Sequence, residues 1–221
     1  MSAPQLYKFH WTIAFPTILL TNPIAAVPAA LCRRRHQLSY PRGVASHLVF
    51  LRGINLGSRN RIAMAELRES LAEAGFKDMG TYLQSGNVIL SSKARPENVA
   101  RKCKRQLAAR FGLDIDVVVR TRDELAEVVE RNPLGDVAVN PKRYQVSFLS
   151  AELDPEAVSK LEAAAIPPEQ FVVIGREVYA WHPDTIARSR LWALLAGQGL
   201  GVIATSRNWT TVTKLLAMAD E

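Results

Sequence analysis

His47-Leu48-Val49-Phe50-Leu51-Arg52-Gly53-Ile54-Asn55 and Met79-Gly80-Thr81-Tyr82-Leu83-Gln84-Ser85-Gly86-Asn87-Val88-Ile89-Leu90 decide the fold. The first is a short apolar run over 48–54, closed by glycine and asparagine, which is the pattern of a buried strand. The second is a pair of strands, 79–83 and 88–90, about a Ser85-Gly86-Asn87 turn, because glycine and asparagine tolerate positive φ. Between them Met64, Leu67, Leu71 and Ala74 recur at helical spacing, with Gly75 as a C-terminal stop. Beyond them Pro96 opens a helix that carries Val99, Cys103, Leu107 and Phe111 on one face. Residues 115–119 form a further strand. The order is strand–helix–strand–strand–helix–strand.

The rest of the chain repeats that order. Thr121 and Glu124 make a capping box for a helix through Leu125, Val128 and Val129, which Asn132-Pro133 ends. A strand at 144–149 follows, then a helix capped by Asp154-Pro155. A hairpin comes next, 171–174 and 178–181 about Gly175-Arg176, then a helix with Ile186, Leu191, Leu194 and Leu195. A short strand at 202–203 and a last helix from Asn208 complete the series. The pattern predicts an α+β protein with two ferredoxin-like (α/β-plait, βαββαβ) units in tandem, one helix inserted between them and one appended. A single mixed sheet wrapped by helices is the alternative. The expected boundaries are 1–45 for an amino-terminal extension, 46–120 for the first plait, and 121–221 for the helix, the second plait and the C-terminal helix.

The extension stands apart. Residues 11–32 are apolar but hold Pro16, Pro23 and Pro28, and Arg33-Arg34-Arg35 follows. It reads as a disordered tail or a start placed upstream of a GTG codon at Val44, as a membrane-associated segment, or as a secretory signal. Three prolines make a poor membrane span, since each removes a helix hydrogen bond.

Net charge has to be located along the chain before it is read. The formal charge is +7, but residues 1–45 hold five basic groups and no acid, and the other 176 hold 23 basic and 21 acidic groups, a net +2. A near-neutral globular part does not argue globally for nucleic acid. Two cysteines, Cys32 and Cys103, exclude a cysteine metal cluster and make a disulfide framework improbable, so a cytoplasmic setting is expected.

Three polar stretches sit at the ends of these apolar segments: Arg52-Gly53-Ile54-Asn55, Ser85-Gly86-Asn87 and Arg207-Asn208-Trp209, the last followed by Thr211-Val212 and Lys214-Leu215. With Lys142-Arg143, Gly175-Arg176-Glu177-Val178-Tyr179 and Arg188-Ser189 they resemble, from about residue 46 to 218, the bacterial domain-of-unknown-function family numbered 1697. The resemblance implies two α/β-plait domains and no assigned reaction.

Each stretch has a structural and a functional reading. The loop from Gly53 to Asn60 can aim backbone N–H groups at a phosphate, with Arg52 and Arg59 adding charge-assisted bonds, or it is a turn in which Asn55 bonds backbone. It is neither a Walker loop nor a dinucleotide fingerprint. Ser85 lacks the elbow and base of a nucleophile and reads as a turn residue able to line a pocket. Arg207 and Asn208 either cap the last helix or join its N-terminus in holding an anion.

The expected ligand-binding set is Arg52, Asn55, Arg59, Asn60, Gln84, Ser85, Asn87, Arg188, Arg207, Asn208 and Lys214. It would line a site for a small anionic, phosphate-bearing ligand between the two plaits. No metal site is expected, and catalytic residues and cofactor are not specified by the sequence. Two other classes stand beside this reading. One is a nucleic-acid-binding protein stacking bases on Tyr82, Tyr144 and Tyr179. The other is an enzyme of unknown reaction; a protein-interaction role without ligand is also open, and a membrane partner enters only through the extension.

Overall fold

The computed structural model describes residues 45–57, 60–197 and 199–221, so the extension up to residue 44 and Arg59 lie outside the described residues. Strand β1 (Ala45–Leu51) is followed by α1 (Met64–Glu73), β2 (Lys77–Tyr82), β3 (Asn87–Ser92), α2 (Pro96–Phe111), β4 (Val117–Thr121) and α3 (Arg122–Arg131). The same order recurs in β5 (Tyr144–Leu149), α4 (Pro155–Ala164), β6 (Gln170–Ile174), β7 (Glu177–Trp181), α5 (Arg190–Ala196), β8 (Ala204–Asn208) and α6 (Trp209–Ala219). The protein is thus α+β. The inserted and appended helices, α3 and α6, are the seventh element of each series.

The strands form two four-stranded antiparallel sheets, β2-β3-β1-β4 and β6-β7-β5-β8. Alternation along each strand sends side chains to two different cores. On the first sheet Val49, Leu51, Val88, Leu90, Val117 and Val119 meet Leu67 and Leu71 of α1 and Val99, Cys103 and Leu107 of α2. On the second sheet Leu149, Phe171, Val178 and Ala180 meet α4 and α5. The other faces meet each other: Leu48, Phe50, Ile89 and Val118 pack with Val146, Phe148 and Tyr179, and Leu125, Val128, Val212 and Leu215 bring α3 and α6 into the same core. With α1 and α2 on one face and the second sheet on the other, β1 is buried on both faces, which is why it reads as an unbroken apolar run.

Local signals set the helix starts. Thr121 accepts from Glu124 N and the Glu124 carboxylate accepts from Thr121 N, so the capping box is complete. Asp154 accepts from Ala157 N and Asn208 from Thr211 N. One strand differs from expectation. The last strand lies at β8, Ala204–Asn208, rather than at 202–203. Its sequence, Ala-Thr-Ser-Arg-Asn, has no apolar alternation because its inward positions hold Thr205 and Arg207.

The fold also closes off the platform expected for base stacking. Tyr144 and Tyr179 are 1% and 0% exposed between the sheets, and Tyr82 packs half-buried against the same core. Neither sheet presents an open aromatic face.

His47 is buried in β1, its Nδ1 donating to the Ala45 carbonyl at 2.9 Å, and burial lowers its pKa below the ordinary 6.5. The native state therefore holds the neutral ring, while the unfolded chain takes up a proton as pH falls through 6.5. This contribution is complete above that value and is lost on acidification. The Tm of the wild type should drop between neutral pH and about pH 5, and His47→Leu should flatten that drop. Parallel pH profiles of the two proteins would count against this account.

Candidate functional site

The three signature stretches converge on the seam between the sheets, where two arginines cross in opposite directions. Arg207, on β8, reaches into the first half. Its five N–H groups are all taken: Nε donates to Asn87 Oδ1, Nη1 to Thr205 Oγ1 (2.9 Å) and the Ser206 carbonyl (2.8 Å), and Nη2 to the carbonyls of Leu51 (3.1 Å) and Ser85 (3.0 Å). Arg120, on β4, reaches into the second half. Its Nε donates to Glu177 at 2.8 Å, Nη1 to the Val119 carbonyl at 3.0 Å, and Nη2 to the carbonyls of Leu149 (2.7 Å) and Arg176 (3.1 Å).

The two sets are equivalent by strand register. Arg120 lies opposite Leu48 and Arg207 opposite Val146, while Asn87 lies opposite Phe50 and Glu177 opposite Phe148. The aromatic rings complete the exchange. Phe50 and Phe148 stack at 4.4 Å and 10°, Arg207 lies 5.5 Å over the Phe50 ring, and Arg120 lies 5.8 Å over the Phe148 ring. Each half thus lends its fourth-strand arginine to the other half's central phenylalanine.

Arg207 also bonds Thr205 Oγ1, which has no counterpart at Arg120, and in charge the equivalence breaks at one position. Arg120 meets the carboxylate of Glu177, whereas Arg207 meets the neutral amide of Asn87. Among the described residues no carboxylate pairs with Arg207. Burial pulls its pKa down to about 10, which still leaves it charged at neutral pH. The second half therefore places an uncompensated cation beneath the β2–β3 hairpin of the first.

Above that cation the loop after β1 is built against the hairpin. Asn55, at φ 53°, donates to the carbonyls of Ile62 (3.0 Å) and Gln84 (2.8 Å) and accepts from Ile62 N (2.9 Å). Asn60 donates to the Gly53 carbonyl at 3.1 Å. Asn87 donates to the Tyr82 carbonyl and to Ser85 Oγ, each at 3.0 Å. Gly86 is required: its φ is +75°, and a Cβ there would lie 2.7 Å from Leu51 Cβ. Arg52 crosses to the other half, donating to the carbonyls of Ala196 (3.2 Å) and Gly197 (2.9 Å) at the end of α5, with Asp116 at 3.5 Å. Its Nε is buried with no hydrogen-bond partner among the described residues.

The expected site residues thus divide. Arg52, Asn55, Asn60, Gln84, Ser85, Asn87 and Arg207 come together at this seam. Asn208 is beside it but its side-chain oxygen caps α6. Arg188 and Lys214 are exposed, and among the described residues neither forms a hydrogen bond or ion pair with the seam. Arg207 itself has no free donor, so direct ligation of an anion by this group does not fit the geometry. Ser85 has no base: His47 bonds Ala45, and His182 bonds Glu169 at 2.7 Å rather than Asp184. No cluster of metal-ligating side chains exists among the described residues.

Arg120 and Glu177 belong to the seam but escape a reading that looks for polar clusters. A usable signal was present. Both buried arginines immediately precede a helix N-cap, Arg120 before Thr121 and Arg207 before Asn208.

The family profile described as "Protein of unknown function (DUF1697)" matches residues 44–179. The chain belongs to this family. Among solved structures it is similar to a conserved bacterial protein from Streptococcus pneumoniae, at 20% identity and a TM-score of 0.66, over 80% of this chain and 99% of that one. That likeness shows the fold alone. No curated protein matches the chain.

Two stability measurements test the seam. Glu177→Ala strands Arg120 as a buried cation and should lose about 3–5 kcal/mol in urea unfolding, whereas Glu127→Ala, which breaks an exposed helix pair, should lose less than about 1 kcal/mol. Gly86→Ala should cost more than about 2 kcal/mol through strain and overlap with Leu51. Equal small losses at all three positions would contradict the assignment.

Proposed function

We infer that this protein binds a small anionic, phosphate-bearing ligand, without covalent chemistry, at the seam rim where the loop after β1 meets the β2–β3 hairpin. The observation that carries this reading is the unpaired charge of Arg207 beneath the rim, in contrast to its equivalent, Arg120, which has Glu177. A ligand anion above Leu51 and Ser85 would supply the missing negative charge while Arg207 keeps its five protein acceptors. Arg207 is then a positioning residue, and Asn55 and Asn87 hold the rim in shape. Contact with the ligand falls to the exposed part of the Arg52 side chain, to the exposed side chains of Gln84 and Ser85, and to loop N–H groups, with Arg59 in the same stretch of sequence.

We also infer that each half is a ferredoxin-like unit, supported by the strand order and by the βαββαβ succession in each. On this reading the first unit extends through α3 and the second through α6. A cytoplasmic setting is part of the proposal, supported by the buried free thiol of Cys103. No helix among the described residues is long and apolar enough to cross a membrane.

A thermal-shift series with inorganic phosphate, nucleotides and sugar phosphates tests the site. A ligand at about a hundred times its dissociation constant stabilises by roughly 2.7 kcal/mol, a shift of several degrees. The shift should vanish in Arg52→Ala and persist in Lys214→Ala. No shift with any compound, or a shift that survives Arg52→Ala, would remove the rim as the site.

A further inference from the structure

A second positive feature lies on the outside of the molecule. Residues 93–111 carry seven basic groups, Lys93, Arg95, Arg101, Lys102, Lys104, Arg105 and Arg110, against the single acid Glu97, a net +6. The remainder of 46–221 carries 16 basic and 20 acidic groups, a net −4. The near-neutral total therefore conceals a polarised surface centred on α2.

Packing fixes which side of α2 is free. Val99, Cys103 and Leu107 are buried against the first sheet. Arg101 and Arg105 stand one helical turn apart on the side opposite Cys103, and both are exposed. Lys93 and Arg95 extend the exposed set past the helix start, whereas Arg110, nine residues after Arg101, is exposed on the other side of the helix. Lys104 is neutralised by Asp114 (2.9 Å) and Asp116 (3.2 Å), and Lys102 lies 4.8 Å over the Phe76 ring. Among the described residues Lys93, Arg95, Arg101, Arg105 and Arg110 form no ion pair. The cationic line runs from Lys93 to Arg105, the helical part of it covering about 15 Å at 1.5 Å per residue.

We propose that this outer face of α2 docks the sugar–phosphate backbone of a double-stranded nucleic acid. The face lacks what other occupants require. A protein interface needs apolar or aromatic anchors at its centre. Among the described residues the exposed large apolar side chains, Leu56, Leu83, Val137, Val139 and Ile166, all lie elsewhere. Unpaired bases need an aromatic platform. The sole aromatic in the segment, Phe111, packs half-buried against the core. A line of charges without anchors or platform matches phosphates, which fix position and carry no sequence information. This surface is separate from the seam rim and does not depend on it.

Fluorescence anisotropy of the full chain with a labelled duplex DNA of mixed sequence, over a series of salt concentrations, tests the proposal. Contact with roughly four phosphates gives a log–log salt slope near −3.6. The Arg101→Ala/Arg105→Ala double variant places a strong helix former at exposed positions, so Tm should hold while the slope falls by about 2 and low-salt affinity falls at least about tenfold. Absence of binding at low salt would overturn the proposal. So would binding unchanged in the double variant, which would place it on other cations such as Arg33-Arg34-Arg35. Binding to poly-glutamate as tight as to the duplex would overturn it in favour of an acidic protein partner.

Discussion

Two guanidinium groups buried between two sheets are the constraint on which this structure turns. An ionised side chain removed from water is tolerated only when its donors are met and its charge is answered. Arg207 meets the first condition with five acceptors, three of them backbone carbonyls. Those carbonyls come from β1, from the β2–β3 turn and from its own strand, so neither sheet can shift without breaking them. Arg120 imposes the same condition in the reverse direction. The stacked Phe50 and Phe148 then give the exchange a fixed spacing. The two halves therefore form one cooperative body rather than two beads on a linker.

The same constraint explains what the sequence shows and what it conceals. The succession of elements is legible because most of it follows local rules: apolar spacing on α1 and α2, glycine and asparagine in the hairpin, and a complete capping box at Thr121. Strand β8 is not legible. Its inward side chains are Thr205 and Arg207, and a strand whose core face is polar gives no alternation to read. Arg120 is concealed differently, since it follows an apolar run and is followed by Thr121-Arg122-Asp123-Glu124, so it reads as part of the polar start of the next helix. Whether Arg207 binds a ligand or protein carbonyls is likewise unreadable, because both use the same residue with the same neighbours. Only the acceptors, brought in from sequence-distant segments, distinguish the two.

Function follows from what the seam leaves unfinished. Near-perfect equivalence between the halves makes the one departure in charge informative: Glu177 on one side, Asn87 on the other. A neutral partner leaves positive charge under a rim shaped by Asn55, Asn60 and Gly86, and the segment between β1 and α1 carries three further arginines in its sequence, Arg52, Arg59 and Arg61. The family signature is thus mostly the architecture of the seam, and the part proposed to face a ligand is confined to its rim. The outer face of α2 is a separate matter, because its arginines answer to solvent and not to the other sheet.

Amide hydrogen exchange of Arg207→Lys, read separately for the two sheets, tests the central claim most directly. Lysine keeps the charge but cannot reproduce a planar fork of five donors. If the exchanged arginines bind the halves into one unit, the most protected amides of β1 and β3 should lose the same protection free energy as those of β5 and β7, about 2–4 kcal/mol. A loss confined to β5, β7 and β8, with the first sheet unchanged, would show that the halves stand independently and would contradict the account.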